Sequence, residues 1–371
     1  MPVYQYDGKS FVCIDDFHQY ALQTLAKTSL DYYESGAEDE LTLKANLESF
    51  KNILINPRLL VDISHIDTSS SILGNKVSMP IGFAPTALHR LAHDEGEKAT
   101  AKAAFDAGIA MCLSSYSTTS IEDVALSTNH QGILFFQLYF NINREITTNL
   151  LKRAHASGYK AIALTIDAQV SGFRRKDHKN KFTLPSYMSF ANFENQELLQ
   201  NLSATNSSSS VMHNLLNSAD HSITWEDLAW IKEISQLPLI VKGILNAEDA
   251  ELALKFGADA VWITNHGGRQ IDGCRTAIEV LPEVCEALKG SEIEIYVDGG
   301  VRKGSDVYKA LALGADHVFI GRPVLYGLAS GGQQGVSAVI NILHDELQRN
   351  MQLSGKVSIK NITRTSVMFR K

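Results

Sequence analysis

Short apolar segments recur along the chain at a regular spacing, and polar or glycine residues follow each of them. Six of the seven intervals between successive segment ends are 23 to 32 residues long, and the fourth is 76 residues long. The intervals contain stretches with helical periodicity, such as Asp94–Gly108 and Ala247–Gly257. The pattern predicts eight strands alternating with helices, at Pro80–Thr86, Ile109–Ser115, Gly132–Tyr139, Lys160–Asp167, Pro238–Gly243, Asp259–His266, Ile293–Asp298 and Asp316–Gly321.

The predicted strands are almost continuously apolar, which is typical of strands buried on both faces of a parallel sheet. Eight strand–helix units fit a closed (β/α)₈ barrel, the TIM barrel, better than an open doubly wound sheet. The Gly-Ala-Asp sequences at Gly257–Asp259 and Gly314–Asp316 fit a glycine that ends one helix before the next strand. We therefore predict an α/β fold with a TIM barrel over residues 79–355.

The remaining segments lie before, within and after this barrel. Residues 1–78 are predicted to form an N-terminal extension with a helix at Asp16–Lys27. Residues 185–222, in the long interval after strand 4, are rich in Asn and Ser and predict a long loop, either a lid over the site or a disordered insertion. Residues 356–371 form a C-terminal tail, and residues 1–371 are expected to be a single domain.

Charge and composition exclude several classes of protein. The chain has 34 Lys+Arg and 41 Asp+Glu, a formal net charge of −7, and no basic block, which disfavours nucleic acid as a partner. No apolar run is long enough to span a membrane. The four cysteines show no pairing typical of zinc sites or disulfide frameworks. Without a recognisable signal peptide or peroxisomal address, a cytoplasmic protein is expected.

Hydrogen-bonding or charged residues stand where nearly every predicted strand ends. Any one of them could be an ordinary polar residue at the protein surface. Because TIM-barrel active sites lie at the C-terminal ends of the strands, the whole set predicts an active site there. Its members are Ser114, Tyr116, Gln137, Tyr139, Thr165, Asp167, Lys242, His266, Arg269, Asp298, Arg302, Gly321 and Arg322.

The loops after strands 7 and 8 carry the signal for phosphate. Asp298–Gly304 and Gly321–Pro323 combine glycines, whose backbone N–H groups can approach an anion, with Arg302 and Arg322. Neither a P-loop nor a G-x-G-x-x-G sequence is present, which disfavours a dinucleotide on a Rossmann fold. The sequence instead predicts a cofactor with a single phosphate.

The segment after strand 6 carries the signal for acid–base chemistry. His266 and Arg269 lie three residues apart in a glycine-rich turn, and Asp167 ends strand 4. An aspartate beside a histidine stabilises the imidazolium that forms when the histidine takes up a proton. This arrangement favours a catalytic His266 over a purely structural one.

Two further cations allow alternative interpretations. Lys242 lies in an apolar strand, where an amine needs an anion nearby or acts as a nucleophile, so a Schiff-base lyase or aldolase is a rival hypothesis. Arg174 and Arg269 could hold one carboxylate between them, whereas Arg175 is better explained by a surface ion pair.

A metal site is disfavoured. His89 and His93 have the i,i+4 spacing of some zinc ligands, but the sequence between them lacks the glutamate of H-E-x-x-H and no third ligand is evident.

The chain resembles the FMN-dependent L-2-hydroxy-acid oxidase and dehydrogenase family over nearly its whole length. The resemblance implies a TIM-barrel flavoprotein that oxidises a 2-hydroxy acid. It is carried by Tyr32–Ala37, Ala84–Ala87, Phe136–Tyr139, Leu164–Asp167, Lys242-Gly243, Asn265–Gln270, Asp298–Arg302, Lys309–Ala315 and Gly321–Pro323.

The resemblance implies a role for each catalytic and substrate-binding residue. His266 would take a proton from the substrate, and Asp167 would stabilise its charged form. Tyr139 would hydrogen-bond near the substrate hydroxyl, and Lys242 would lie beside the flavin as a stabilising cation, which displaces the Schiff-base interpretation. The substrate-binding residues would be Tyr32, Tyr116, Tyr139, Arg174 and Arg269.

The resemblance also implies the cofactor contacts. Asp298 would contact the ribityl chain, and the phosphate would lie among Gly300, Arg302, Gly321 and Arg322. Lys242 and Thr264 would also contact the cofactor. Thr264 stands where a serine is common in the family. The remaining contacts would come from Ala84, Pro85, Thr86, Ala87, Ser114, Gln137 and Thr165.

Details of the resemblance favour L-lactate as the substrate. Tyr116 replaces a tryptophan usual in glycolate oxidases, and lactate oxidases share that difference. Glycolate, longer or aromatic 2-hydroxy acids, and a dehydrogenase with another electron acceptor remain alternatives. Ala87 and the absence of a haem domain favour an oxidase that reduces O₂ to hydrogen peroxide. The resemblance further implies a homotetramer.

Overall fold

The computed structural model describes residues 3–180, 182–193 and 218–370. Eight parallel strands close into a barrel in which each strand pairs with the next and the eighth pairs with the first. The strand order and the fold class confirm the sequence prediction. The strands are β1 (Ile81–Phe83), β2 (Ala110–Leu113), β3 (Ile133–Leu138), β4 (Ala161–Thr165), β5 (Leu239–Ile244), β6 (Ala260–Ile263), β7 (Glu294–Asp298) and β8 (His317–Ile320).

A helix follows each strand and covers the outside of the barrel. Gly257 and Gly314, with φ of +82° and +112°, lie just beyond the helices that precede β6 and β8, as the Gly-Ala-Asp sequences predict. The last helix is kinked at Gly331 and Gly332. The helices are α1 (Gly96–Asp106), α2 (Ile121–Ser127), α3 (Arg144–Ala156), α4 (Asp227–Ser235), α5 (Ala247–Lys255), α6 (Ala277–Ala287), α7 (Gly304–Ala312) and α8 (Arg322–Leu353).

The N-terminal end of the barrel is closed by packing. Inside the strands lies a core that includes Phe135, Trp262, Tyr296 and Phe319. A hairpin, Ser70–Ile72 paired with Asn75–Val77, packs against this core at the N-terminal ends of the strands. Its Leu73 N–H donates to the first residue of β7 and its Ser71 carbonyl accepts from the first residue of β8, over 2.8 Å in both cases. The opposite end is therefore the one that can hold a ligand.

The N-terminal extension contains three helices, Ile14–Thr24, Lys27–Glu34 and Leu41–Glu48. The predicted helix Asp16–Lys27 is displaced because the Asp16 carboxylate accepts from the N–H of Cys13 and so starts the helix earlier. Leu25, whose backbone is extended, ends it. A short helix, Arg175–Asn180, follows β4, and Val367–Phe369 pairs with Ile53–Ile55.

The predicted loop over residues 185–222 falls mainly on residues 194–217, which lie outside the described residues. Its described start is well packed, since Met188, Phe190 and Phe193 are buried. Among the described residues, no helix combines the length and the apolar character needed to cross a membrane.

Candidate active site

A cavity opens at the C-terminal ends of the barrel strands, and most of the predicted site residues line it. It reaches from the Tyr32 helix to the loops after β7 and β8. Asp167 does not line the cavity itself but is hydrogen-bonded to His266, which does. The predicted residues that line the cavity are Tyr32, Ala84, Pro85, Thr86, Ala87, Ser114, Tyr116, Tyr139, Arg174, Lys242, His266, Arg269, Asp298, Gly300, Arg302, Gly321 and Arg322.

His266 lies between a carboxylate and a phenol. Its Nδ1 is 3.0 Å from Asp167 Oδ1, and its Nε2 is 3.5 Å from the Tyr139 hydroxyl. Burial acts to raise the pKa of Asp167, but the attraction and hydrogen bond of His266, together with Lys242, outweigh it and lower that pKa. Asp167 therefore stays ionised, and Nδ1–H donation leaves Nε2 free to accept a proton from a ligand in the cavity.

The backbone around this pair takes a conformation that few sequences allow. His266, Gly267 and Gly268 have φ of +58°, +64° and +75° in succession. The Asn265 side chain stabilises the turn by accepting from the Gly268 N–H over 3.0 Å. At Gly243 a side chain would come within 2.9 Å of Asp167. The glycines thus allow β5 and the turn to approach the His–Asp pair closely.

Two guanidinium groups share the same part of the cavity. Arg269 donates to the carbonyl of Tyr32 over 2.7 Å and lies over the Tyr32 ring. Burial lowers its pKa to about 10, and the neighbouring Arg174 contributes to this shift. Arg174 is ion-paired through Nε with Asp177 at 2.8 Å. Within the described part of the chain, no carboxylate lies within 4 Å of Arg269, so an anionic ligand would relieve the repulsion between the two cations.

Aromatic rings form the wall beside His266. Tyr116 stacks on Tyr139 at a centroid distance of 4.8 Å and packs edge-on against Phe190 at 5.5 Å. Burial raises the pKa of both tyrosines, so each keeps its proton and can donate it in a hydrogen bond. This wall limits the room for a ligand substituent.

Lys242 is buried within the C-terminal half of β5, with only 4% of its side chain exposed. Its ammonium lies 3.8 Å from Asp298 Oδ2, and Thr264 donates a hydrogen bond to the other oxygen of Asp298. The amine is thus the ion-pair partner of a protein carboxylate, which favours a fixed cation over the Schiff-base interpretation.

The end of the cavity at the loops after β7 and β8 is suited to a phosphate. Arg322 donates to the carbonyls of Tyr33, Ser35 and Gly267, and Arg302 donates to that of Val301. No carboxylate lies within 4 Å of either guanidinium in the residues that are described. Burial, aided by Arg302, lowers the pKa of Arg322, which remains a cation. The donors are therefore concentrated without a carboxylate in direct contact, although Glu34 and Glu40 act on Arg322 from a greater distance.

Three further residues predicted as cofactor contacts, Gln137, Thr165 and Thr264, lie at or just after the ends of β3, β4 and β6 and are bonded to neighbouring strands, next to the residues that line the cavity. The Gln137 amide accepts from Ser115 N–H and donates to Thr165 over 3.0 Å, so it ties the ends of three strands together. Thr264 bonds to Asp298 and accepts from the His266 N–H. A polar residue at a strand end looks the same in sequence whether it faces a cavity or a neighbouring strand.

Sequence reasoning missed Asn46, which lies on the helix Leu41–Glu48. Asn46 and Asn265 exchange two amide hydrogen bonds, of 2.9 and 2.8 Å. A side chain at Gly300 would lie 1.9 Å from the Asn46 carbonyl. One residue of the N-terminal extension thus contacts both the His266 turn and the phosphate loop. No periodicity or motif in the sequence marks it.

His89, one of the two histidines with the spacing of zinc ligands, has both ring nitrogens engaged by protein hydroxyls. It is buried and bonds to Thr86 and Thr100 over 2.6 and 3.0 Å. In the ranges that the structure describes, no group of three His, Cys, Asp or Glu side chains could hold a metal ion.

Arg175, expected to form a surface ion pair, is paired with Asp39.

Comparison with known proteins agrees with this geometry. A sequence model of the FMN-dependent dehydrogenase family matches residues 21–369. Glycolate oxidase 1 of Zea mays is 46% identical over 353 residues, which cover 95% of this chain and 94% of the relative. Glycolate oxidase of Spinacia oleracea is 46% identical over 354 residues and 95% of each chain. The solved structure of mandelate oxidase with 3,3-difluoro-2-hydroxy-3-phenylpropionic acid has a TM-score of 0.87 at 34% identity, covering 97% of this chain and all of the other.

Proposed function

Because the chain belongs to the FMN-dependent dehydrogenase family, we propose that it oxidises a short L-2-hydroxy acid to the 2-oxo acid while O₂ is reduced to hydrogen peroxide. FMN is its cofactor, and its reaction class is the FMN-dependent oxidation of 2-hydroxy acids. The single observation that carries the proposal is the cavity in which the His266–Asp167 pair faces Arg174 and Arg269, while two further arginines stand at its other end.

The donor set of the cavity fits FMN. Arg302 and Arg322 would hold the phosphate, and Asp298 would accept from the ribityl hydroxyls. Lys242 would stand beside the ring system, where a buried cation stabilises added negative charge. Bound there, the flavin supplies the redox chemistry by accepting the two electrons that leave the substrate.

The protein's own contribution is to orient the substrate and to move one proton. Arg174 and Arg269 bind the carboxylate, which fixes the α-carbon and its hydroxyl relative to His266. His266 Nε2 takes up a proton as the carbonyl of the product forms, and Asp167 stabilises the resulting imidazolium through Nδ1–H. The Tyr139 hydroxyl, 3.5 Å from Nε2, can donate a hydrogen bond to the hydroxyl oxygen of the substrate.

Glycolate and L-lactate are the proposed substrates, ahead of mandelate. The sequence favours lactate through Tyr116, whereas the two relatives compared by sequence are glycolate oxidases and the solved structure is a mandelate oxidase, so glycolate fits at least as well as lactate. A small substrate is supported by the packing of Tyr116 against Tyr139 and Phe190, which places aromatic rings on the side of the cavity next to His266.

Anaerobic reduction of the flavin tests the proposal. The purified holoenzyme is mixed without oxygen with glycolate, L-lactate, D-lactate or (S)-mandelate, and the flavin absorbance is followed before and after air is admitted. We expect rapid bleaching with glycolate and L-lactate, slower bleaching with mandelate, none with D-lactate, and recovery in air with one equivalent of hydrogen peroxide. Failure of every acid to bleach the flavin would overturn the proposal, and bleaching without recovery in air would assign a dehydrogenase.

A further inference from the structure

The side chain of Gln270 joins two loops of the active site. It follows Arg269 in the turn after β6, and its amide reaches the segment after β4. The Nε2 group donates to the carbonyls of Asp167 and Val170 over 2.6 and 2.9 Å. The Oε1 atom accepts from the Gly172 N–H over 3.0 Å. Both amide hydrogens and the amide oxygen are thus used within one six-residue stretch, Asp167–Gly172.

Only a primary amide of this length provides the required set of donors and acceptor. Glutamate can accept from Gly172 but places negative charge against two carbonyl oxygens. Methionine has nearly the same length and provides none of the three bonds. The bonds therefore depend on the identity of residue 270 and not only on its volume.

The two loops are also in direct backbone contact. A side chain at Gly172 would lie 2.2 Å from the Arg269 carbonyl oxygen and 2.6 Å from that of Gln270. Such an approach requires glycine on one loop, and the Gln270 amide holds it in place from the other. The joined segment begins at Asp167, the partner of His266, and leads directly to Arg174.

We propose that Gln270 is a positioning residue that holds the segment 167–174 against the turn 266–270, so that one set of bonds maintains both active-site pairs. The first pair is Asp167 with His266, and the second is Arg174 with Arg269. Its effect on catalysis rests on the proposed function, whereas its effect on the loop does not. The two can therefore be measured separately.

The test compares Gln270→Met and Gln270→Glu with Gln169→Met in the FMN-bound enzyme. Gln169 is the matched control because it lies on the same segment, outside the cavity lining, and its side chain makes only long hydrogen bonds of 3.5 Å to the residues that the structure describes. Hydrogen exchange at the Gly172 amide should accelerate by about tenfold or more in Gln270→Met, by less in Gln270→Glu, which keeps an acceptor for this N–H, and remain unchanged in the control. Unaltered exchange in Gln270→Met would overturn the proposal, whether or not the enzyme turns over.

Kinetics then distinguish positioning from a merely structural role. In Gln270→Met, kcat/KM for the best hydroxy acid should fall by about 100-fold, the deuterium isotope effect from an α-deuterated substrate should rise, and FMN affinity should change by less than about threefold. Gln169→Met should match wild type. Faster exchange with wild-type kcat/KM would overturn the positioning role. If the wild-type flavin is reduced by no hydroxy acid, the proposed function fails while the exchange result still decides the loop contact.

Discussion

Two histidines at opposite ends of the barrel, His317 buried and His266 partly buried, show how position and partner determine chemistry. His317 begins β8 at the closed end and bonds through Nε2 to the Ser71 carbonyl, and burial lowers its pKa to about 4. His266 follows β6 at the open end and has a carboxylate on one nitrogen and the cavity on the other. The first histidine is a neutral structural donor, and the second is equipped to receive a proton. Burial alone therefore identifies neither role.

Replacing the histidine at the open end should have the largest effect on activity. We choose His266→Asn, because asparagine tolerates the positive φ of this position better than most residues. We expect kcat to fall by about 10³-fold or more, since the general base is lost, with FMN retained at wild-type stoichiometry. Steady-state rates and the flavin-to-protein ratio measure the two effects. Activity within about tenfold of wild type would contradict the role of His266.

Replacing the histidine at the closed end should change the pH dependence of stability instead. Unfolded His317 titrates near pH 6.5, whereas the folded side chain stays neutral down to about pH 4. Between these values the unfolded state binds more protons, so stability is complete above pH 6.5 and declines as the pH falls toward 4, by on the order of 3 kcal/mol.

Denaturant unfolding between pH 4 and 7.5 measures this contribution. His317→Gln should show a smaller loss of unfolding free energy with acidification than wild type, with kcat/KM at pH 7.5 within about threefold. The exposed His65→Gln variant is the control and should follow the wild-type curve. Identical pH profiles for His317→Gln and wild type would refute the assignment of a neutral, buried imidazole.

A conservative change at the carboxylate site should have a smaller effect on substrate binding. In Arg174→Lys we expect KM for the hydroxy acid to rise about 10- to 100-fold, because a lysine cannot provide the planar pair of donors. Arg175→Lys is the control, since that side chain is paired with Asp39 at the surface. Equal KM values in the two variants would contradict a carboxylate contact by Arg174.

The barrel and the residues along its rim were predictable for a physical reason. A parallel strand buried on both faces carries a continuous apolar run, and its polar ending marks the edge where the site forms. The sequence pattern alone therefore marks Ser114, Tyr139 and Arg302 as candidate site residues. The resemblance to a known family added the roles that spacing alone left open, above all for Lys242.

Other features could not be predicted because they depend on single contacts between distant segments. The amide pair of Asn46 and Asn265 joins residues 219 positions apart, and neither belongs to a periodic pattern. Gln270 lies next to a residue with a predicted role, yet its function arises only from the approach of a loop 98 positions earlier. Gln137 and Thr165 were predicted from their place at strand ends, and the sequence could not show the strand-to-strand bond that they make with each other.

The central claim is that one cavity brings the His266 base and the two arginines together around a small 2-hydroxy acid beside FMN. A crystal structure of the oxidised holoenzyme with oxalate, a non-reacting analogue, tests it most directly. We predict one oxalate carboxylate bonded to Arg174 and Arg269, with a further oxalate oxygen within about 3 Å of His266 Nε2. Oxalate bound away from these three side chains, or FMN with its phosphate remote from Arg302 and Arg322, would contradict the account.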